Sequence, residues 1–395
     1  MKRTVHRRLF IAIFLVVNTL ICVLLSFMLM NISYLNKHHH ELDVIFTGNY
    51  LKHFLLGRED AWPVEDYLFI DLAYQKSLVD KISGEGYVVG RKAITDRNKV
   101  RTFLEMINRS GASYRFILLD VFFEDPSPED SLLQAELDRH PRLIIPYHLS
   151  PQGTPRLPLF KAQSGLADYS SMEKHFLKYS LVSDTCRSLP LVMHERISGE
   201  RMTKGSLWWY LGEKRVFNTF ILPFFIRKHQ LSSENSGISY MYLEDFFHLG
   251  DPDFIAELVK DRILVLGDFS EQDFHPTIMG EQPGALILTN VYQSLRSGIN
   301  TITLPFLLYL SGMFLLLSLL LVFPHERIRN SGLFRRLGKA RMNWITHLIF
   351  SLLGWFFLLF LISFLSTLFF HISLSILLLS FYFLAVQKLK ERYEV

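Results

Sequence analysis

Cysteine is almost missing from this chain: Cys22 and Cys186 are the only two in 395 residues. Cys22 lies inside an apolar run, so Cys186 has no partner for a disulfide in the segment that follows, and no C-x-x-C redox or zinc site exists. A lone thiol of this kind reads as a small buried hydrophobe. Catalytic signatures are missing as well: there is no G-x-S-x-G, no H-E-x-x-H and no P-loop. Gly84, Gly86 and Gly90 stand one residue off the dinucleotide-binding spacing and read as turn glycines. Charge is missing too, but only locally. Four runs, 9–30, 302–323, 344–364 and 367–386, contain no Asp, Glu, Lys or Arg. Each is long enough to cross a bilayer as a helix, and the last two read as a helical hairpin separated only by Leu365 and Ser366.

What is present orients these runs. Basic residues crowd 1–8 (Lys2, Arg3, Arg7, Arg8), 324–343 (Arg327, Arg329, Arg335, Arg336, Lys339, Arg341) and 387–395 (Lys388, Lys390, Arg392). With four spans these three segments share one side, and Lys and Arg favour the cytoplasmic side. The expected layout is therefore a multi-pass membrane protein, both termini inside and residues 31–301 outside. The first run is longer than a signal-peptide core and no small-residue cleavage pattern follows it, so an uncleaved anchor is expected. The inward segments hold thirteen basic and three acidic residues, leaving 29 basic and 35 acidic elsewhere. The net charge of +4 thus marks contact with an anionic leaflet and gives no reason to expect nucleic acid.

Within 31–301, short apolar strands alternate with helical periodicity. Strands are expected at 67–71 and 116–120, each ending in Asp, and at 142–146 and 262–267. Helices are expected at 96–109, with Asp96 as cap and Val100, Phe103, Leu104 and Ile107 as apolar face, and after Pro126, with Leu132, Leu133 and Leu137 inward. A helix at 284–295 leads into the second span. Val216–Ile226 is too short to span and reads as one or two buried strands. Near-continuous apolar strands alternating with helices predict an α/β fold, a largely parallel, Rossmann-like sheet covered on both faces, accompanied by four transmembrane α-helices. In such sheets ligand-facing residues gather beyond the carboxyl ends of the strands, which places Asp71, Asp120, Gly267 and Asp268 on one rim. His38, His39 and His40 invite a metal reading, but adjacent residues point in different directions and a solvated juxtamembrane helix is expected.

In layout and local pattern the chain resembles the CHASE2 family of bacterial extracytoplasmic sensory domains. The matching features are Leu68-Phe69-Ile70-Asp71, Arg97 before the first covering helix, Leu118-Leu119-Asp120-Val121-Phe122-Phe123, Asp130-Ser131-Leu132, the strand 261–267, and then Asp273, His275, Thr277, Pro283-Gly284, Asn290 and Leu295. A tryptophan–proline turn usual in that family is replaced by Gly84–Arg91. The resemblance implies an N-terminal span, an α/β outer domain and three C-terminal spans, set in a bacterial inner membrane. It also implies a signalling output, which members commonly carry after the last span. Here nine residues follow that span, so a separate cytoplasmic or membrane partner is expected to read the signal.

Asp71, Asp120, Asp273, Arg97 and His275 are the candidate ligand-binding residues. An Asp–Arg pair can grip a polar ligand and grouped carboxylates can hold a cation. Asp at a strand end also caps turns, which is the plainer role for each alone. No catalytic residue, resident metal or cofactor is expected, and the chain is not expected to be an enzyme. His347 and His371 are the membrane groups that titrate near neutrality, both close to span ends. The expected function is sensing of a small ligand or envelope protein. The alternative is an envelope scaffold or assembly subunit binding another protein through its outer domain.

Overall fold

The computed structural model describes residues 2–31, 66–168, 171–172, 175–176, 178–231, 237–270, 272–277, 279–322 and 344–393. The histidines at 38–40 and the basic loop 324–343 lie outside the described residues. The chain divides into two compact units, one holding the described parts of Met1–Gly57, Thr203–Ile221 and Asn300–Val395, the other those of Arg58–Met202 and Leu222–Ile299.

In the first unit, three helices are long and apolar enough to cross a membrane: Leu9–Asn31, Leu304–Val322 and Ser351–Phe370. The expected break at Leu365-Ser366 is not there. The helix Trp344–Phe370 runs through it and stops where His371 takes a left-handed conformation (φ 57°). The next helix, Ile376–Tyr393, therefore keeps only the apolar stretch 376–386 before Gln387 and the charges that follow, and it is not among those three. Ser363 Oγ stabilises the break by accepting from Leu374 N at 2.9 Å. Polar groups tie these helices together. Asn18 Nδ2 donates to Ser318 Oγ (2.8 Å) while Tyr382 OH donates to Asn18 Oδ1 (2.7 Å). Lys390 Nζ caps the carbonyls of Leu321 and Val322 at 2.6 and 3.0 Å, where a cation suits a helix C-terminus. Thr203–Ile221, expected in the outer domain, belongs to this unit. Its Trp208 packs edge-on against Phe27 at 4.4 Å, and Asn31 Nδ2 donates to Leu207 O at 2.8 Å. The apolar run beginning at Val216 is split between the short strands Lys214–Val216 and Thr219–Ile221.

The second unit contains a mixed, mostly parallel α/β sheet. Its elements are β1 (Tyr67–Asp71), β2 (Lys76–Ile82), β3 (Val88–Thr95), α1 (Arg97–Arg109), β4 (Phe116–Leu119), α2 (Asp130–Leu137), β5 (Leu143–Leu149), β6 (Pro155–Arg156) and β7 (Ser164–Leu166). They continue through α3 (Leu189–Ser198), β8 (Ser239–Tyr242), α4 (Leu243–Phe247), α5 (Pro252–Val259), β9 (Ile263–Gly267), β10 (Phe274–Thr277), β11 (Gly280–Pro283) and α6 (Gly284–Arg296). The sheet order is β8-β1-β9-β4-β5, all parallel, with antiparallel β6 on the far end of β5 and parallel β7 on its middle. β2 and β3 form a separate antiparallel hairpin.

Every residue of β1, β4 and β9 is buried, as expected of parallel strands covered on both faces. Leu68, Ile70, Ile117, Leu119, Leu264 and Leu266 join α1, α2, α4 and α5 in one core. Each such side chain removed from water contributes about 1.5–3 kcal/mol. The alternate residues meet the opposite layer, where Tyr67 OH donates to Gln293 Oε1 of α6 at 2.6 Å. Asp96 caps α1 by accepting from Asn98 N and Lys99 N. The inward side of α2 is Leu133, Glu136 and Leu137, whereas Leu132, expected inward, is 55% exposed. α6 is buried from Gly284 to Leu295, polar residues included. Its Asn290 accepts from Phe225 N and Ile226 N and donates to Ile226 O.

Candidate functional site

Register sets the rim. Asp71 pairs with Gly267 across β1 and β9, and Leu266 pairs with Leu119, so Asp120 leaves β4 beside Gly267. Asp120 N still bonds Leu266 O at 2.8 Å, after which the chain turns away. A side chain on Gly267 would meet Ala285 Cβ at 2.7 Å, so glycine there lets α6 come close to the strand ends. Between these strand ends, the start of α6 and the base of the β2–β3 hairpin lies a cleft of about 810 Å³. It is the size of an ordinary small-molecule site.

The charged and titratable lining comprises Lys76, Asp120, His148, Asp168, Asp268, Asp273 and His275. His275 Nε2 lies 2.8 Å from Asp273 Oδ1, and His148 Nδ1 lies 2.6 Å from Asp168 Oδ1. Asp168 also accepts from Leu149 N. Burial works to raise the Asp168 carboxyl, but the bonds from His148 and Leu149 outweigh it and hold the group below the usual carboxylate range. Asp268 turns its own loop, accepting from Ser270 N and Gln272 N. Asp273 sits against the first residue of α6: a Cβ on Gly284 would lie 2.2 Å from Asp273 Oδ2. The positive end of that helix favours the negative charge.

Asp120 differs from the others. It is partly open to the cleft by surface area, yet protein surrounds it densely. Burial first, and then the charge of Asp273, push its carboxyl well above the usual range. The negative charge of Asp273 disfavours a second one on Asp120.

Of the five expected site residues, Asp120, Asp273 and His275 line the cleft, whereas Asp71 and Arg97 do not. Asp71 is 1% exposed and accepts from Ala73 N, Phe269 N, Tyr240 OH and Ser270 OH. That set of donors ties the end of β1 to the loop after β9. Arg97 is equally buried, bonded to Asp130 and to the carbonyls of Thr95 and Asp125, with its guanidinium 4.6 Å over the Phe123 ring. His148 and Asp168 escaped the sequence reading. His148 falls two residues past the strand 142–146 as expected, and Asp168 sits in a segment without clear periodicity. The signal available was a strand two to three residues longer, which carries His148 to the same rim.

Among the described residues no group of three or more His, Cys, Asp or Glu converges closely enough to hold a metal ion. No protein-family model, curated protein or solved structure matches the chain.

Proposed function

We propose that this chain is a membrane-anchored sensor of the CHASE2 kind, whose outer α/β unit takes a small ligand in the cleft and whose signal is read by a separate partner. The observation that carries the reading is the cleft itself: a roomy site at the carboxyl edge of a mostly parallel sheet, lined by charged and polar side chains interspersed with apolar wall. Sites in such sheets gather there. The three apolar helices support membrane anchoring. A four-span layout with cytoplasmic termini rests on the basic segments and on Ile376–Tyr393 entering the bilayer beside Trp344–Phe370. In that layout the basic loop 324–343 is the natural contact for the reader. Ligand shifts such a protein only by favouring one of its states.

A second reading, an envelope scaffold, is favoured by one observation. The β2–β3 hairpin exposes Leu78, Tyr87, Val88 and Val89, each at least 60% accessible, in a form suited to a protein partner. The two readings separate in one set of experiments on the full chain in detergent. Sensing predicts small molecules that raise Tm, with the rise reduced by Leu288→Trp, which puts a bulky ring into the cleft wall. Scaffolding predicts a stoichiometric envelope protein that co-purifies and is lost on Tyr87→Ser with Val89→Ser. If no compound stabilises the protein, the sensor reading fails.

A further inference from the structure

The cleft's lining also indicates which chemistry it takes, an inference that rests on the ligand-binding reading above. Four carboxylates, those of Asp120, Asp168, Asp268 and Asp273, face one ammonium, Lys76, and two imidazoles, His148 and His275. Most of these charges already have partners. Asp168 is held by His148 and Leu149 N, Asp273 by His275, and Asp268 by Ser270 N and Gln272 N. Asp120 accepts no side-chain hydrogen bond among the described residues, and its charged neighbour is another carboxylate, Asp273. Partly open to the cleft, the Asp120 carboxylate meets no side-chain donor among the described residues and is placed to take one from a ligand. A small inorganic ion is the less favoured occupant, since among the described residues no three or more His, Cys, Asp or Glu converge to ligate one. The space is large, and Leu72, Val121, Phe122, Leu149, Ile287 and Leu288 supply apolar wall around the free carboxylate.

We propose that the cleft takes an organic cation, with a primary ammonium group seated against Asp120 beside Asp273 and its carbon skeleton along the apolar wall. An ammonium supplies the donors Asp120 lacks and relieves the repulsion between the two carboxylates. Because the ligand selects the ionised form of Asp120, binding releases a proton and tightens as pH rises. Lys76 opposes the cation throughout, as does any positive charge on His148 or His275, whereas Asp268 and Asp168 favour it. The phenol of Tyr179, which also feels the Asp120 charge, stays neutral in this range.

Two probes of similar length and opposite charge test the idea, 1,4-diaminobutane and succinate. Binding to the full chain in detergent is followed by thermal shift and by calorimetry in buffers of different ionisation enthalpy. The expected result is that diaminobutane raises Tm and releases protons, whereas succinate does neither. Asp120→Asn should weaken diaminobutane at least roughly tenfold, as loss of one charge-assisted bond implies, and remove the proton release. Asp273→Asn serves as a second variant should the first fold poorly. Stabilisation by succinate with loss on Leu288→Trp overturns the cation class while leaving the cleft as a binding site. Equal diaminobutane binding by wild type and Asp120→Asn places the cation elsewhere and overturns the proposal. Silence from both probes overturns it too, while the wider sensor reading then rests on the compound screen.

Discussion

Asp71 and Asp120 follow strands of the same kind, yet their neighbours give them opposite parts. Asp71 is a structural acceptor for four donors. Asp71→Ala strands those donors, and at about 1–3 kcal/mol for each unsatisfied buried group the α/β unit should lose at least about 3 kcal/mol, read by denaturant unfolding. Asp120 behaves the other way. Its carboxyl is raised by burial and by Asp273, so above the ordinary carboxylate value the unfolded chain is ionised while the folded chain holds its proton. Stability from this group is therefore present at low pH and lost as pH rises towards the raised value. Asp120→Asn removes the loss, and its Tm should exceed wild type increasingly from pH 4 to pH 7. A constant difference across that range would contradict the assignment. Asp168, held below the usual range, contributes stability above the unfolded value that disappears as pH falls.

Among the elements, those with strong periodicity were legible in the sequence, because burial on both faces leaves little freedom. β1, β4 and β9 are continuous apolar runs, and α1 shows its apolar face at helical spacing with Asp96 as cap. The candidate site was legible in part for the same reason, since Asp120 is the residue after an unmistakable strand. Asp71 and Arg97 look alike in sequence to site residues, and only the three-dimensional donors around them reveal a structural part. The helix end at Phe370 was hidden for a different reason. Leu365-Ser366 and the residues after it are all apolar or small, and the stop depends on the left-handed His371 and the Ser363–Leu374 bond. At this scale Gly267→Ala should push α6 from the strand ends, since its Cβ would meet Ala285 at 2.7 Å. A destabilisation of about 1–3 kcal/mol and loss of any cleft ligand are expected by thermal unfolding with and without compound. In the helical unit, Asn18→Leu removes the bonds to Ser318 and Tyr382. It should loosen helix association by about 0.6–1.7 kcal/mol, measured by steric-trap or detergent unfolding.

For the molecule as a whole, the chain combines a helical unit suited to a bilayer with an α/β unit that carries a ligand-sized cleft. The four-span proposal makes a clear demand of topology. Reporter fusions at Ser150 and Gly338 should report opposite sides of the membrane, and a common side for both contradicts it. The central claim is that the cleft at the carboxyl edge of the sheet is where ligand binds. Hydrogen–deuterium exchange of the full chain in nanodiscs, with and without each compound that raises Tm, tests this most directly. Slowed exchange is expected at 120–123, 146–150, 267–275 and the first turn of α6. Protection confined to other segments, with these unchanged, would contradict it.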